Sequence, residues 1–245
     1  MALRRPLVFD HEDRRRIYDH IERNGVVDRE TIADDLGVDP AAVRHHVAIL
    51  SRDGLVENDN GTLRIALAAN SGETHVNSDG TTYTIRPARQ EDIGGIVGVI
   101  NQVVDAGGSV EAESVAELVD YEDVLLRWNG IESRIFFVAA VDEEVIGWSH
   151  IRGAELDKLD HTAELTVGVL AAYRGHGIGS ALLRQALEWA SRQGYERLYQ
   201  SVPATNQSAI TFLEQHGWHV EGVRNDHYRI DGDFVDEVML GITLT

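Results

Sequence analysis

Cysteine is absent from this 245-residue chain. Its absence excludes disulfide bonds, thiolate zinc sites and a cysteine nucleophile. Long apolar runs are missing as well, since no stretch approaches the roughly 18 residues of a membrane-spanning helix. The segment Met1–Asp10 is too short and too polar for a secretory signal peptide. We therefore expect a protein that has no membrane segment and is located in the cytoplasm.

Lysine is almost absent too. The chain has 41 acidic and 22 basic residues, and Lys158 is the only lysine among the latter. This composition resembles that of halophilic proteins, which work at high internal salt. A solvated acidic surface suits concentrated salt, and the alternative is an acidic patch that attracts a basic substrate. At molar salt the Debye length falls to about 3 Å, so long-range steering of a substrate would be weak.

Residues 1–67 have the pattern of three short helices and a hairpin. Ile17 and Ile21 lie on one stripe of the first helix, and Asp39-Pro40 predicts the start of the third. Two apolar runs flank Asn60-Gly61, which is a strong hairpin signal. This order resembles a winged helix-turn-helix domain.

DNA is the partner that this resemblance implies. Arg44 and His45 lie outside the apolar stripe of the third helix and are the candidate DNA-binding residues. Residues 1–70 nevertheless contain ten arginines against thirteen acids, whereas DNA-binding domains usually carry a basic face. The alternative is a module for dimerisation or protein contact, so a homodimer is also an open expectation.

A polar, turn-rich stretch at 68–80 predicts a linker to a second domain at 81–245. The second domain alternates strands and helices in a mixed α/β order. Helices are predicted around 90–104 and 112–127, with Gly107-Gly108 between them as a substrate loop.

The segment Arg174–Gly179 is the most informative part of the chain. It reads R-G-H-G-I-G, follows a β-branched strand and leads into an amphipathic helix. Glycines let the backbone approach an anion, and the amides of a helix N-terminus donate to it. Ser180 stands where a dinucleotide fingerprint needs its third glycine, and the P-loop Gly-Lys-Ser/Thr is missing. The remaining R-x-x-G-x-G resembles the coenzyme A loop of the GNAT superfamily of N-acetyltransferases.

Two further motifs resemble the same superfamily. Asn206 followed by Ala209-Ile210 and closing on His216-Gly217-Trp218 resembles its asparagine helix, and Tyr228 with Asp231-Gly232 resembles its closing hairpin. The resemblance covers nearly all of 82–245. It implies an α/β (α+β) fold with a mixed, mostly antiparallel sheet flanked by helices, preceded here by the small winged helix-turn-helix domain.

Acetyl-CoA is the cosubstrate that the resemblance implies. Ser180 and the loop amides would hold the pyrophosphate, the backbone of the preceding strand would bind the thioester and pantetheine, and Asn206 would bind the pantetheine region. The implied coenzyme residues are Val167, Val169, Arg174, Gly175, His176, Gly177, Ile178, Gly179, Ser180 and Asn206. The alternative for the loop is a tight strand-to-helix turn without a ligand.

Acetylation of an amine requires its ammonium to lose a proton before attack. Glu164 is the candidate base, because GNAT enzymes often place a glutamate on this strand; the alternative is an outward, solvated side chain. Many relatives protonate the leaving thiolate with a tyrosine at a position where this chain has Leu213. Tyr228 is therefore the candidate acid, with Tyr199 as a second choice, and the thiolate can also leave without one.

The expected function is transfer of acetyl from acetyl-CoA to an amine by direct attack in a ternary complex. The acceptor is a protein lysine, a protein N-terminus or a small amine. The alternative is a transcription regulator whose GNAT domain senses acetyl-CoA or a metabolite. No metal is predicted, because the histidines form no spaced metal motif.

Overall fold

The computed structural model describes residues 7, 9–66, 73–76, 82–105, 110–129, 132–153 and 156–244. The predicted substrate loop at Gly107-Gly108 and most of the predicted linker lie outside these residues. None of the helices described is long and apolar enough to cross a membrane.

The N-terminal part folds as three helices and a small antiparallel sheet. Asp39 caps the third helix by accepting hydrogen bonds from the amides of Ala41 and Ala42. Asn60 has a positive φ, as a tight hairpin turn requires. The elements are α1 (Glu12–Asn24), β1 (Val26–Asp28), α2 (Arg29–Leu36), α3 (Pro40–Arg52), β2 (Val56–Asp59) and β3 (Thr62–Ile65), and the sheet order is β1-β3-β2.

The rest of the described chain forms a nine-stranded sheet with four helices. The strands are β4 (Glu73–Val76), β5 (Thr82–Pro87), β6 (Arg127–Trp128), β7 (Ser133–Val141), β8 (Glu144–Gly153), β9 (Thr162–Val169), β10 (Arg197–Pro203), β11 (His219–Ile230) and β12 (Asp233–Thr243). The helices are α4 (Ile93–Asp105), α5 (Val110–Glu122), α6 (Ile178–Arg192) and α7 (Gln207–Gln215). The sheet order is β11-β12-β10-β9-β8-β7-β5-β4, with β6 paired to β7. The mixed, mostly antiparallel sheet flanked by helices is confirmed.

Three short elements differ from the predicted pattern. The helix predicted at 112–127 ends at Glu122, because Asp123 adopts a left-handed conformation with φ +53°, and Arg127–Trp128 pairs with β7 instead. The stretch predicted as a linker contributes strand β4, and Val26–Asp28 adds a third strand to the small sheet. These strands are too short to show a period of two, so only their pairing defines them.

Two apolar layers cover the large sheet. Leu182, Leu183 and Ala186 of α6 pack on one face in a cluster that includes Leu165 and Val169 of β9. Ile96 and Ile100 of α4 and Ala116 of α5 pack on the other face, in a cluster that includes Trp148. Buried apolar area of this extent is the main source of stability of the fold.

The N-terminal part docks on the large sheet through α1 and β6. Glu22 of α1 is buried, and its Oε1 accepts from the Trp128 amide at 3.3 Å and from Asn129 Nδ2 at 2.9 Å. The hydroxyl of Tyr18 donates to the Trp128 carbonyl at 2.7 Å. Trp128 also packs against the apolar clusters of both parts. The two parts are therefore joined by specific buried contacts.

Candidate active site

Strands β9 and β10 pair in parallel over only three residues and then separate. The paired residues run from Thr162–Arg197 to Glu164–Tyr199. Beyond them β9 stays paired with β8 as far as Val169, while β10 stays paired with β12 as far as Pro203. A cavity of about 450 Å³ opens at this separation, and it is lined by β9, β10, the glycine loop and α7. The split in the sheet leaves backbone groups of β9 without a strand partner.

The direction of the β9 amides follows from the neighbouring residue. The Leu170 amide donates to the Ile146 carbonyl on the β8 side. Because successive amides of a strand point to opposite sides, those of Val167 and Val169 point toward the opening. Both residues line the cavity. These amides are available to hydrogen-bond a carbonyl that enters the cleft.

The glycine loop forms one end of the same cavity. Gly175 and Gly177 have φ of +79° and +80°, which non-glycine residues rarely adopt. The first intrahelical bond of α6 runs from the Ala181 amide to the Gly177 carbonyl at 3.0 Å. The amides of Ile178, Gly179 and Ser180 therefore have no carbonyl one turn earlier in α6, and helix N-termini of this kind are suited to anions.

Arg174 closes the loop, since its Nε donates to the Val169 carbonyl at 2.9 Å. His176 lies half-buried within the loop and Ile178 is buried beneath it. All the predicted coenzyme residues except His176 and Ile178 line the cavity. These residues therefore share one cavity, and their role in binding the coenzyme stays a prediction.

The Ser180 hydroxyl has a partner in α7. His216 Nε2 lies 2.9 Å from Ser180 Oγ, and His216 Nδ1 lies 2.7 Å from the Phe212 carbonyl. A carbonyl only accepts, so Nδ1 carries a proton. In the neutral imidazole Nε2 then accepts from the Ser180 hydroxyl. His216 thus fixes the orientation of this serine in the cradle.

Asn206 caps α7 and faces the cavity at the same time. Its Oδ1 accepts from the Ala209 amide at 3.1 Å and from the Ser208 hydroxyl at 2.9 Å. Both contacts use the oxygen, which leaves the Nδ2 hydrogens for a ligand. Leu213 lines the cavity where a tyrosine is usual in relatives.

A second cavity of about 260 Å³ lies between α5 and strands β8, β9 and β10. Glu164 lies at its wall; its side chain is 70% exposed and its Oε2 is 3.8 Å from Arg152 Nε. Glu111 and Ser114 of α5 line the opposite wall. The two carboxylates of this lining outnumber its one cation, Arg152, and this balance suits an ammonium group.

Gln200 connects the two cavities, since it lines both. It is the first β10 residue after the last pair with β9, it is 7% exposed, and its Oε1 has no hydrogen-bond partner among the described residues. The split in the sheet therefore brings the two cavities together at one residue.

His150 is a buried titratable group of the second cavity. It is 2% exposed, and neither ring nitrogen has a hydrogen-bond partner in the described part of the chain. Burial, with smaller contributions from Arg134 and Arg152, lowers its pKa from 6.5 to about 3. The imidazole is therefore neutral at pH 7 and is too weak a base to deprotonate an ammonium efficiently.

Tyr228 lies on β11, and its hydroxyl donates to Glu111 Oε1 at 2.9 Å. Burial and the adjacent Glu111 carboxylate raise the pKa of this hydroxyl. Tyr228 itself lines neither cavity. The contact orients Glu111 toward the second cavity, and the raised pKa makes the tyrosine a weaker proton donor.

Comparison with known proteins identifies this arrangement. A sequence profile of the "Acetyltransferase (GNAT) family" matches residues 108–218. YwnH of Bacillus subtilis, named as a candidate phosphinothricin acetyltransferase, is 30% identical over 165 residues, which are 66% of this chain and 99% of that protein. The chain belongs to the GNAT acetyltransferase family. An N-alpha-acetyltransferase of Sulfurisphaera tokodaii is also 30% identical, over 63% of this chain and 90% of its own.

Solved GNAT structures share the fold. The acetyltransferase yncA of Salmonella typhimurium, solved with acetyl-CoA, superposes with a TM-score of 0.56 at 20% identity, over 66% of this chain and 94% of its own. A GCN5-related N-acetyltransferase of Kribbella flavida gives a TM-score of 0.55 at 22% identity, over 66% of this chain and 98% of its own. The predicted GNAT fold is confirmed. Family membership also confirms an N-acetyltransferase that uses acetyl-CoA and needs no metal for transfer.

The N-terminal part matches a second profile, "Helix-turn-helix domain", over residues 9–58. The predicted helix-turn-helix is confirmed. Arg44 and His45 are both exposed on α3. They are accessible to a ligand such as DNA, and the structure leaves their role a prediction.

Four residues of the GNAT site were not predicted as functional from the sequence: Glu111, His150, Gln200 and His216. Glu111 begins an acidic helix, and His150 and Gln200 lie within strands of ordinary pattern. No local signal marks these three, because α5, β8 and β10 meet only in the folded chain. His216 belongs to the His216-Gly217-Trp218 motif, and its position next to a helix end was the one available signal.

Proposed function

We propose that the chain transfers acetyl from acetyl-CoA bound in the β9–β10 cleft to an amine bound in the second cavity. The separation of β9 from β10 carries this proposal, because it places a helix N-terminus, two inward amides and a carboxylate-lined cavity around one opening. The pyrophosphate would lie on the amides of Ile178, Gly179 and Ser180. The thioester carbonyl would accept from the amides of Val167 and Val169.

Attack then proceeds directly. The ammonium first loses one proton to Glu164, directly or through water. The nitrogen lone pair then forms a bond to the thioester carbon, the carbon–sulfur bond breaks with its electron pair going to sulfur, and the second nitrogen proton reaches the thiolate through solvent. A covalent acetyl-cysteine is excluded, because the chain has no cysteine. Catalysis rests mainly on positioning and on polarisation of the carbonyl.

Glu111 and His150 would bind the acceptor rather than take its proton. The neutral imidazole of His150 has one nitrogen lone pair to accept from an ammonium, and Glu111 is held by Tyr228 at the opposite side of the cavity. We propose that the thiolate leaves without a dedicated tyrosine, because Tyr228 donates to Glu111. Within this scheme Tyr228 is a positioning residue and Glu164 the base.

Steady-state kinetics of two variants tests these roles. Glu164→Gln should lower kcat by about 10²–10⁴-fold while the affinity for acetyl-CoA stays unchanged. Tyr228→Phe should lower kcat less than about tenfold and raise the acceptor KM, because it frees the Glu111 carboxylate. Glu188→Gln, an exposed change on α6, is the matched control. An unchanged kcat for Glu164→Gln would remove it from the mechanism, and a kcat loss of about 10²-fold or more for Tyr228→Phe would restore it as the acid.

DNA binding through α3 is the second candidate function, and the helix-turn-helix match with exposed Arg44 and His45 favours it. In that case binding of acetyl-CoA to the GNAT domain would change how the N-terminal part binds a promoter. Fluorescence anisotropy with fragments of the host genome, at matched salt and with or without acetyl-CoA, tests it. Saturable, sequence-dependent binding that Arg44→Ala weakens would support it, and salt-sensitive binding without sequence preference would not.

Three further expectations from the sequence stay proposals. Limited proteolysis tests the domain division at 67 and 81, and light scattering tests the homodimer. Localisation of a tagged chain tests the cytoplasmic location. A protein lysine, a protein N-terminus and a small amine all stay open as the acceptor.

A further inference from the structure

A second cluster of ligating side chains lies in the N-terminal part, far from the GNAT cleft in sequence. His11 caps α1, Asp13 is in the first turn of α1, and His46 lies on α3. Each offers one ligand atom, and these atoms lie within 4.8 Å of one another. The histidines are 35 positions apart in the chain, so only the packing of α1 on α3 brings them together.

His46 is the unusual member of the cluster. It is 5% exposed, and its Nδ1 has no hydrogen-bond partner among the described residues. A buried ring nitrogen without a hydrogen-bond partner destabilises the folded chain unless a ligand completes it.

The other two groups also present lone pairs. His11 Nδ1 accepts from the Asp13 amide at 3.2 Å, and it lies 3.9 Å from Asp13 Oδ2. The remaining oxygen of Asp13 pairs with Arg16 at 3.3 Å. Arg14 is the positive charge that faces His46, and its guanidinium is paired with Asp10. The local positive charges are therefore already neutralised by carboxylates.

We infer that His11, Asp13 and His46 form a binding site for a late first-row divalent cation, with Zn²⁺ as the representative ion. Two imidazoles and one carboxylate are the ligands that such ions prefer, whereas Mg²⁺ and Ca²⁺ prefer oxygen alone. Ligand atoms of a tetrahedral zinc site are roughly 3.3 Å apart, so side-chain rotations that bring these atoms closer by up to about 1.5 Å would close this set. On binding, His11 Nδ1 would lose its hydrogen bond from the Asp13 amide and bind the ion instead. Water would take the fourth coordination position.

The site would link the start of α1 to α3. Its ion would give His46 the partner that its Nδ1 lacks, and would hold the helix that exposes Arg44 and His45. A ligand that binds only the folded chain raises its stability by RT ln(1 + [L]/Kd). Metal binding should therefore raise the melting temperature of the full chain, and it should do so whether or not acetyl transfer takes place.

Equilibrium dialysis of the chelator-treated full chain with Zn²⁺, together with Co²⁺ absorption spectra and melting curves, tests the site. We expect one ion per chain, tetrahedral Co²⁺ bands and a higher melting temperature with Zn²⁺. His11→Gln and His46→Gln should each weaken binding at least tenfold, since even outer ligand partners contribute 10–100-fold. The matched control is His20→Gln, because His20 pairs with Asp35 at 3.3 Å in the same domain without a third ligand.

His11 is exposed, so its variant tests the site even where the buried His46 variant fails to fold. Circular dichroism without metal identifies such a failure. Three results would overturn the inference: no stoichiometric binding by the parent chain, binding retained in His11→Gln, or an equal loss in His20→Gln.

Discussion

Gly177 and Gly179 of the cradle differ in backbone conformation, and this difference separates binding from folding. Gly177 has φ +80°, whereas Gly179 has no positive φ and an added Cβ would lie 3.5 Å from Phe212, an ordinary contact. Gly177→Ala should therefore cost about 1–2 kcal/mol of stability. Gly179→Ala should keep the melting temperature and still place a methyl group in the anion site.

Calorimetric titration with acetyl-CoA measures the outcome for both variants. We expect at least about tenfold weaker binding for Gly179→Ala, because the methyl group holds the phosphate away from the helix amides. An unchanged affinity in Gly179→Ala would show that the loop is a turn without a ligand.

At the same scale, buried His150 makes stability depend on pH. Its pKa is about 3 in the folded chain against 6.5 when exposed, so the unfolded chain binds the proton first. The part of the free energy of unfolding that depends on neutral His150 is fully present above pH 6.5 and is lost as the pH falls toward 3. Between pH 7 and pH 5 this loss amounts to about 2 kcal/mol.

Urea unfolding of the parent chain and of His150→Gln at both pH values measures this contribution. The variant should have a free energy of unfolding that falls less over this interval, by about 2 kcal/mol. Equal pH dependence of the two chains would mean that His150 is protonated in the folded protein.

At the scale of elements, the contact between α1 and β6 joins the two parts of the chain. Glu22 is 6% exposed and accepts from the Trp128 amide and from Asn129, and Arg127 lies 3.9 Å from its Oε2. Glu22→Ala should destabilise the chain by about 3 kcal/mol, because it removes the buried carboxylate that accepts from these donors and pairs with Arg127. Urea unfolding measures the loss. Glu12→Ala, also on α1 but exposed, should stay within about 0.5 kcal/mol.

The elements also show which parts of the fold the sequence could predict and which parts it could not. Helices α3 and α6 and the hairpin at Asn60-Gly61 are encoded locally, by caps, periodicity and turn residues, so they were predicted correctly. Strand β6 follows a left-handed Asp123 and exists only because it pairs with β7, so it was predicted as helix. Likewise the R-x-x-G-x-G loop is visible in the local sequence and predicts the coenzyme cradle, while Glu111 and His150 enter the second cavity through tertiary packing alone.

At the scale of the whole molecule, the net charge of −19 governs the response to salt. Repulsion among exposed carboxylates destabilises the folded chain at low ionic strength, and salt screens it. We expect the melting temperature to rise by about 5–10 °C between about 0.2 M and about 2 M KCl. Betaine, a neutral osmolyte, is the control for solvent exclusion. An equal rise in betaine, or no rise in KCl, would contradict an adaptation to high salt.

Acetyl transfer itself tests the account most directly. The full chain would be incubated in concentrated KCl with acetyl-CoA and a panel of small amines, peptides and extract from its own cell. Thiol release and the mass of the products would be measured together. The account predicts one released thiol for each acetylated amine, at a rate lowered about 10²–10⁴-fold in Glu164→Gln and reduced in Gly179→Ala at low acetyl-CoA. Saturable binding of acetyl-CoA without any acetylated amine would contradict it and would favour a sensor that regulates DNA binding.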